Sequence, residues 1–474
     1  MAGGYGFVDS GPGSVASLSA VQLDGRCGSL ALRRETSDFG IVEKVNVRSS
    51  TRLRYSLQGG DRGVTFLILL SQLRNKVLYC EGRESPKQIK LIGNLYDKCH
   101  RTLNTMLAFL TDGSQDGLGD STSTRSAKGK GAIATYAESI PTLGELIRDF
   151  NVGTADAWAM CRPLIRAALF AEEDTMMTTD TTSSDSSDAT TIDNIPKHLQ
   201  PYHPTSKEMV SNYSFMLPKD AWQYITPTLF RRFYSYGIYD LTYPQERYEN
   251  EISCLKKEID RLLMLQKGGR GAMGMQASLA AAAVPTAAGG SHQDIQEATT
   301  FTREHGQELD RYRYSVERLK ADMIQQKKHY GHVMEVFKSD KNAFLSNLNI
   351  NGNGNGDSST ASVFLTTCIY PRCLLSPDDA MYCAKFIAIL YEMETPGFHI
   401  LELFDVIISA IAGALYSITE DEAGCFGIFL EKIWGTVSEW RYDGKSYAAQ
   451  MEGKVRTIFV CFVDIYHIRC TRLV

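Results

Sequence analysis

The sequence predicts an all-α chain: a helical-repeat, α-solenoid-like scaffold with coiled-coil or long-helix segments and several disordered linkers. Three observations predict it. Apolar residues recur at alternating spacings of three and four after Pro244 and again after residue 297. Cap residues spell out helix starts, most clearly Ser376-Pro377-Asp378-Asp379 and Thr419-Glu420-Asp421-Glu422. No run shows strand alternation across several neighbouring segments.

Taken in order, residues 1–45 are Gly/Ser-rich and read as mostly disordered. A helical block over 46–110 follows. Within it "GVTFLILLSQLRNKVLYCE" shows helical spacing at Leu69, Leu73 and Val77. The next segment, from Ser85-Pro86, places Ile89, Ile92, Leu95, Cys99 and Leu103 on one stripe. Residues 111–132 are a Ser/Thr/Gly/Asp linker. The 133–170 block contains a helix capped at Thr154, with Pro163 as an expected kink or break. The acidic Ser/Thr-rich stretch 171–195 is a second linker, and it offers serines and threonines beside aspartate to an acid-directed kinase.

The block 196–265 ends in a coiled-coil arm marked by Tyr248, Ile252, Leu255, Ile259 and Leu262. A Gly/Ala-rich linker (266–296) leads to a second arm, 297–348. There Leu309, Tyr312, Val316, Leu319, Met323, Tyr330, Val333 and Phe337 hold one seam over about five heptads. Gln326 is its polar interruption. Two such arms form an antiparallel hairpin or pair with partner helices. The seam positions Ile252, Leu255, Ile259, Leu262, Leu309, Val316, Leu319 and Val333 are therefore the candidate partner-binding residues.

After an Asn/Gly linker (349–360), residues 361–447 read as a helical-repeat block, followed by an atypical tail at 448–474. Ser376 caps a helix with Pro377 at its first position and two aspartates facing the positive end of the helix dipole. Pro371 is expected to close the preceding helix. Thr419 and Glu422 form a capping box roughly forty residues later, a period seen in helical solenoids. Thr395-Pro396-Gly397 separates the helices between them.

Bulk properties exclude several function classes. A net charge of −5 and pI near 6.0 supply no basic field for nucleic acid or an anionic membrane. Eleven cysteines, scattered and odd in number, suit a reducing compartment. No secretory leader pattern opens the sequence. The apolar run 400–416 is short for a bilayer span and carries Glu402 and Asp405, so it reads as a buried core helix, with no membrane partner expected. The glycosylation pattern at Asn212 is then expected to go unused.

Motifs with chemical meaning are few. Gly269-x-Gly271-x-x-Gly274 matches a dinucleotide fingerprint but lacks the strand before it that the chemistry needs. Cys368, Cys373 and Cys383, with His399 or Cys425 as a fourth ligand, invite a zinc or thiol reading. Structural zinc needs two tight ligand pairs, and only one loose pair is present. The competing reading sets Cys383 on one helix face with Ala380, Ala384 and Ile387, as a small apolar filler. Arg231-Arg232 and Lys327-Lys328 lie in helical context among acids and read as solvated faces. No cofactor, metal or catalytic residue is expected.

Several ordered stretches resemble a known family. They are "LLSQLRNKVLYCE…KQIKLIGNLYDKCHRTL", "IPTLGELIRDFNV…ADAWAMCRPLI", "YITPTLFRRFYSYGIYDLTYPQERYENEI" and "CIYPRCLLSPDDAMYCAKFIAILYEMETPGF…LFDVI", the last continuing through "TEDEAGCFGIFLEKIWGTVSEWRYDGKSY". The most specific parts are Tyr239-Asp240-Leu241-x-x-Pro244-x-x-x-Tyr248 and Pro371-Arg372-Cys373…Ser376-x-x-Asp379-Ala380-x-Tyr382-Cys383-Ala384. Over most of residues 50–447 the sequence resembles the family of THO complex subunit 2, the large scaffold subunit of the THO/TREX transcription–export assembly.

The resemblance implies a nuclear, non-catalytic helical solenoid acting in mRNA packaging, processing and export. Its implied partners are the other THO complex subunits and, through the complex, a DEAD-box RNA helicase and mRNA. It further implies a partial chain, because the family's subunit is longer and its basic C-terminal tail has no counterpart here. Residues 455–474 do not resemble the family, and direct nucleic-acid binding is not expected of this chain. The rival readings are a helical RNA-binding module and a zinc- or thiol-dependent protein centred on Cys368, Cys373 and Cys383.

Overall fold

The computed structural model describes residues 52–54, 56–57, 61–81, 89–111, 132–178, 195–282, 292–345 and 360–442. Among these residues the chain is helical, without a strand, and shows one isolated antiparallel bridge between Ile225 and Leu345. It divides into two compact units, one holding Thr242–Glu335 and the other Thr36–Leu241 with Val336–Val474.

The second unit opens with α1 (Arg62–Lys76), which ends in a π turn over Val77–Glu81. This helix carries two apolar stripes, and the buried one is not the expected one. Val64, Leu67, Ile68, Ser71 and Arg74 face inward; of the expected positions Leu69 and Leu73 are exposed, and Val77, in the π turn, is buried. The choice follows from Ser71 and Arg74, which share the buried carboxylate of Asp156 at 2.8 and 2.5 Å. Turning the helix would strand that charge. In α2 (Ile89–Thr111) Ile92, Cys99 and Leu103 are buried as the stripe requires, but Ile89 and Leu95 are exposed.

Helices α3 (Ala132–Ser139), α4 (Leu143–Arg148) and α5 (Thr154–Thr178) follow. A capping box between Thr142 and Glu145 starts α4. The α5 helix continues through Pro163, so the expected break is absent. It is anchored by fully buried Trp158, stacked on Tyr213 and Tyr234 with centroids 6.3 and 5.4 Å away. Ser206 caps α6 (Lys207–Asn212) and Thr226 caps α7 (Pro227–Ser235). Gly144 is required by close approach, since a Cβ there would lie 2.6 Å from the amide nitrogen of Asn212. Asn212 is itself buried and accepts from Arg148, which leaves no room for a glycan.

Near the C-terminal end, α10 takes its number after the hairpin helices α8 and α9 described below. It covers Thr360–Phe364 and runs without a break into a π turn (Leu365–Ile369) and then α11 (Tyr370–Cys373). Pro371 therefore does not close a helix; it sits in the first turn of α11, directly after the π turn. A π turn shifts the hydrogen-bond register, so a residue without an N–H can enter there. Ser376 caps α12 (Pro377–Glu392) by accepting from the Asp379 N–H at 3.1 Å, as read from sequence. Glu394 and Gly397, both at positive φ, carry the chain into α13 (Ile400–Ser417). Thr419 and Glu422 close their capping box at the start of α14 (Glu420–Tyr442). The α13 helix is only half a core helix. Ile400, Leu401, Leu403, Phe404 and Ile407 are buried, but its C-terminal half is open, with Leu415 and Tyr416 exposed. By length and composition it also passes for a membrane span, with 28% of its residues buried.

The first unit consists of α8 (Gln245–Ala282) and most of α9 (His292–Asp340). Tyr248, early in α8, donates to Gln326, late in α9. Were the helices parallel, the end of α8 and the start of α9 would lie on the order of 100 Å apart. The nine residues between them reach about 30 Å, so the pair is antiparallel. The Gly269–Gly274 fingerprint lies inside α8, without the strand and turn that phosphate binding requires. Helix also covers much of the stretch read as a Gly/Ala linker, in keeping with the high helix propensity of alanine. The expected disorder of residues 1–45, the central parts of the other three linkers and the tail 448–474 lie outside the described residues.

Candidate functional site

The most specific motif builds a buried charge junction. Arg372, in α11, has no solvent exposure, and its Nε donates to Asp379 of α12 at 2.8 Å. Its other nitrogens donate to the carbonyls of Phe233 and, at 2.6 Å, Tyr236. These carbonyls lie in the last turn of α7 and just beyond it, where backbone acceptors lack helical partners and a cation is favoured. The guanidinium lies 3.5 Å from the ring centroid of Tyr382. Arg162 of α5 reaches the same Asp379 oxygen at 2.7 Å, and Ser376 Oγ donates to the other at 2.9 Å. The carboxylate thus ties α5, α11 and α12 together, and Arg372 adds the end of α7.

Electrostatics make this a clamp. Burial works to raise Asp379, but Arg162 and Arg372, with hydrogen bonds from Arg372 and Ser376, hold it below the ordinary carboxylate value. Burial pushes the Tyr382 phenol up. With Asp379 held ionised and Tyr382 held neutral, neither is poised to exchange a proton near neutrality. Neighbouring Asp378 is raised to about 6, by burial and then by Asp379, and one of its oxygens is buried without a partner. Sequence reasoning assigned both aspartates to the helix dipole alone. It missed Arg372 because no apolar period marks a fully buried arginine.

A second network ties the N-terminal helices to the same region. Arg74 donates to His100 Nδ1 at 2.6 Å and to Asp156. An arginine only donates, so Nδ1 accepts and Nε2–H donates to the Leu375 carbonyl, 2.5 Å away. Nearby, Asp97 accepts from the Asp421 N–H at the start of α14, and Arg101 pairs with Asp421. The second specific motif contributes likewise: buried Asp240 accepts from Gly237 N at 2.6 Å and from Arg166 at 3.2 Å.

Cys368, Cys373 and Cys383 are fully buried. Burial raises Cys368 to about 12 and pushes Cys373 and Cys383 higher still. A metal ligand or nucleophile needs the thiolate, which this environment disfavours. Among the described residues no group of three His, Cys, Asp or Glu is arranged to hold a metal ion. Cys383 packs beside Ala380, Ala384 and Ile387, all buried.

In the first unit, Tyr248, Ile252, Leu255, Val316 and Leu319 form one apolar cluster, with Ile259, Tyr312 and Met323 against it. Leu262, Leu309 and Val333 are buried as well. Gln326 is buried and satisfied at both ends: it accepts from Tyr248 Oη at 2.6 Å and donates to the Thr242 carbonyl at 2.9 Å. A buried polar pair in an apolar seam fixes register, because a slip leaves it unpaired.

Comparison with known proteins agrees with the location of these features. A family model described as transcription factor/nuclear export subunit protein 2 (Tho2) matches residues 222–462, which include the junction motif and the hairpin. THO complex subunit 2 of Homo sapiens is 26% identical over 436 residues, covering 91% of this chain and 23% of the human protein. The Dasypus novemcinctus protein of the same name gives the same figures. That of Arabidopsis thaliana is 26% identical over 448 residues, covering 91% of this chain and 21% of its own length. The chain thus spans less than a quarter of the length of these curated relatives. With the family model matching half of the sequence and taking in its most specific motifs, the chain belongs to the Tho2 family.

Proposed function

We propose that this chain is a scaffold segment of a nuclear THO/TREX-type assembly acting in mRNA packaging, processing and export. It is non-catalytic and works by holding other THO subunits, and through them a DEAD-box RNA helicase and mRNA. The observation that carries this reading is the buried junction: Arg372, Asp379 and Tyr382 of the most specific motif serve helix packing instead of lining a reactive cleft. Family membership and the names of the relatives supply the assembly. The α8–α9 hairpin is the proposed partner-binding arm. Its seam positions hold its shape, leaving the outward faces for partners.

The test is affinity purification of the native full-length protein with nuclease present, followed by identification of what co-purifies. Other THO subunits are expected to remain bound. Leu319→Glu with Val333→Glu, which charges the seam, is expected to release at least one of them by unfolding the arm. Repeated failure of a correctly folded protein to retain any THO subunit contradicts the proposal.

A further inference from the structure

Arg231 and Arg232, read from sequence as a solvated face, are both half-buried in α7. Their surroundings differ. Arg232 is neutralised: its Nε donates to Asp340 at 2.8 Å, and a terminal nitrogen donates to Tyr236 Oη at 3.3 Å. Arg231 makes no hydrogen bond or ion pair among the described residues, and its Nε is buried without a partner. Burial, and then the neighbouring Arg232 charge, lower its pKa below the ordinary guanidinium value. Its two terminal nitrogens are the part of the head group that reaches solvent. One turn on, on the same face of α7, Ser235 Oγ is likewise buried without a partner.

A half-desolvated guanidinium without an anion destabilises the folded chain, because burial removes hydration that no carboxylate replaces. Other enclosed arginines show how this chain ordinarily compensates. Arg74 has Asp156, Arg162 and Arg372 share Asp379, and Arg166 has Asp240. Asp340 acts on the Arg231 charge through space, but it is already bonded to Arg232. The open end of Arg231 is therefore an unfilled fork, the shape that recognises a planar oxyanion through two parallel N–H bonds.

The chemistry favours a carboxylate of a partner protein over an RNA phosphate. A polyanion is held by several spaced cations, whereas this chain carries a net charge of −5 and α7 offers a single unpaired guanidinium. One directional fork, half out of water, suits one acidic side chain seated at an interface.

We propose that Arg231 is a docking residue whose terminal nitrogens receive an Asp or Glu carboxylate from another subunit of the assembly. This rests on the assembly reading and adds to it a contact outside the hairpin arm.

The test uses the native full-length protein, purified with nuclease in about 0.1 M salt, as wild type, Arg231→Met, Arg231→Glu and Arg231→Lys. Arg231→Met is expected to lower retention of at least one THO subunit about ten-fold, and Arg231→Glu by more. Arg231→Lys, a point charge without the fork, is expected to fall between Arg231→Met and wild type. Hydrogen exchange of α7 in the partner-free full-length chain is expected to be no faster in Arg231→Met than in wild type, since the charge removed had no partner. Exchange about ten-fold faster in that variant overturns the proposal by making Arg231 a packing residue. Equal retention of every THO subunit by wild type, Arg231→Met and Arg231→Glu overturns it and leaves the assembly reading standing. So does a loss confined to RNA when nuclease is omitted, which makes the occupant a phosphate. Wild-type protein that retains no THO subunit defeats the assembly reading, and this proposal with it.

Discussion

The charge junction and the hairpin seam solve the same problem, specifying one packing of helices, by opposite chemistry. At the junction a single buried carboxylate is shared by two arginines and a serine drawn from two separate stretches of the chain. In the seam an apolar stripe repeats locally, and one Tyr–Gln pair sets the register. The junction specifies which distant segments meet; the seam specifies how two neighbouring helices align. Buried charge is costly unless every partner is present, so the junction is intolerant of loss. A repeated apolar seam spreads its stabilisation over many residues and has no single point of failure.

This contrast can be broken at chosen residues. Arg372→Ala is expected to have the largest effect, about 3–5 kcal/mol of unfolding stability. It leaves Asp379 without one of its two charge partners and two helix-end carbonyls unpaired in the interior. Denaturant unfolding of the second unit measures it. Gln326→Leu is expected to cost the hairpin about 1–2 kcal/mol, since the Tyr248 hydroxyl and Thr242 carbonyl lose their partner. Adding Tyr248→Phe should recover part of that loss, read as hydrogen-exchange protection along α8 and α9.

A third effect is pH-dependent. Asp378 titrates near 6 in the folded chain and near 4 when unfolded. Between these values the folded state holds a proton that the unfolded state has released, so this group's contribution to stability falls as pH rises through the window. Asp378→Asn is expected to remove that slope; its gain on wild type from pH 4 to 6.5 is bounded at roughly 2.7 kcal/mol, two pH units at about 1.4 kcal/mol each, and is read in thermal unfolding.

Local chemistry was legible in the sequence. Ser376, Thr419 and Glu422 cap the helices they announce, and most seam positions from Tyr248 to Val333 are buried, with Ile259, Tyr312, Met323 and Tyr330 half-buried. Features decided by distant partners were not legible. The α1 helix offers two apolar stripes, and the buried one is chosen by Asp156, far along the chain. Pro371 could be placed only with the π turn before it in view. Asp379 looks like a helix-dipole residue until Arg162 and Arg372 are brought to it. The open half of α13 is as apolar as the buried half, so composition alone could not separate them.

The most direct test of the claim that the family's motif is a packing device is a double-mutant cycle on Arg372→Met and Asp379→Leu. If the pair is a structural clamp, each single change is strongly destabilising. The double variant should then be more stable than either single one, with a coupling of about 2 kcal/mol or more. Its retention of THO subunits should follow its stability. Additive losses in the cycle, or a stable double variant that no longer retains any THO subunit, would contradict the account and assign these residues a direct role in binding.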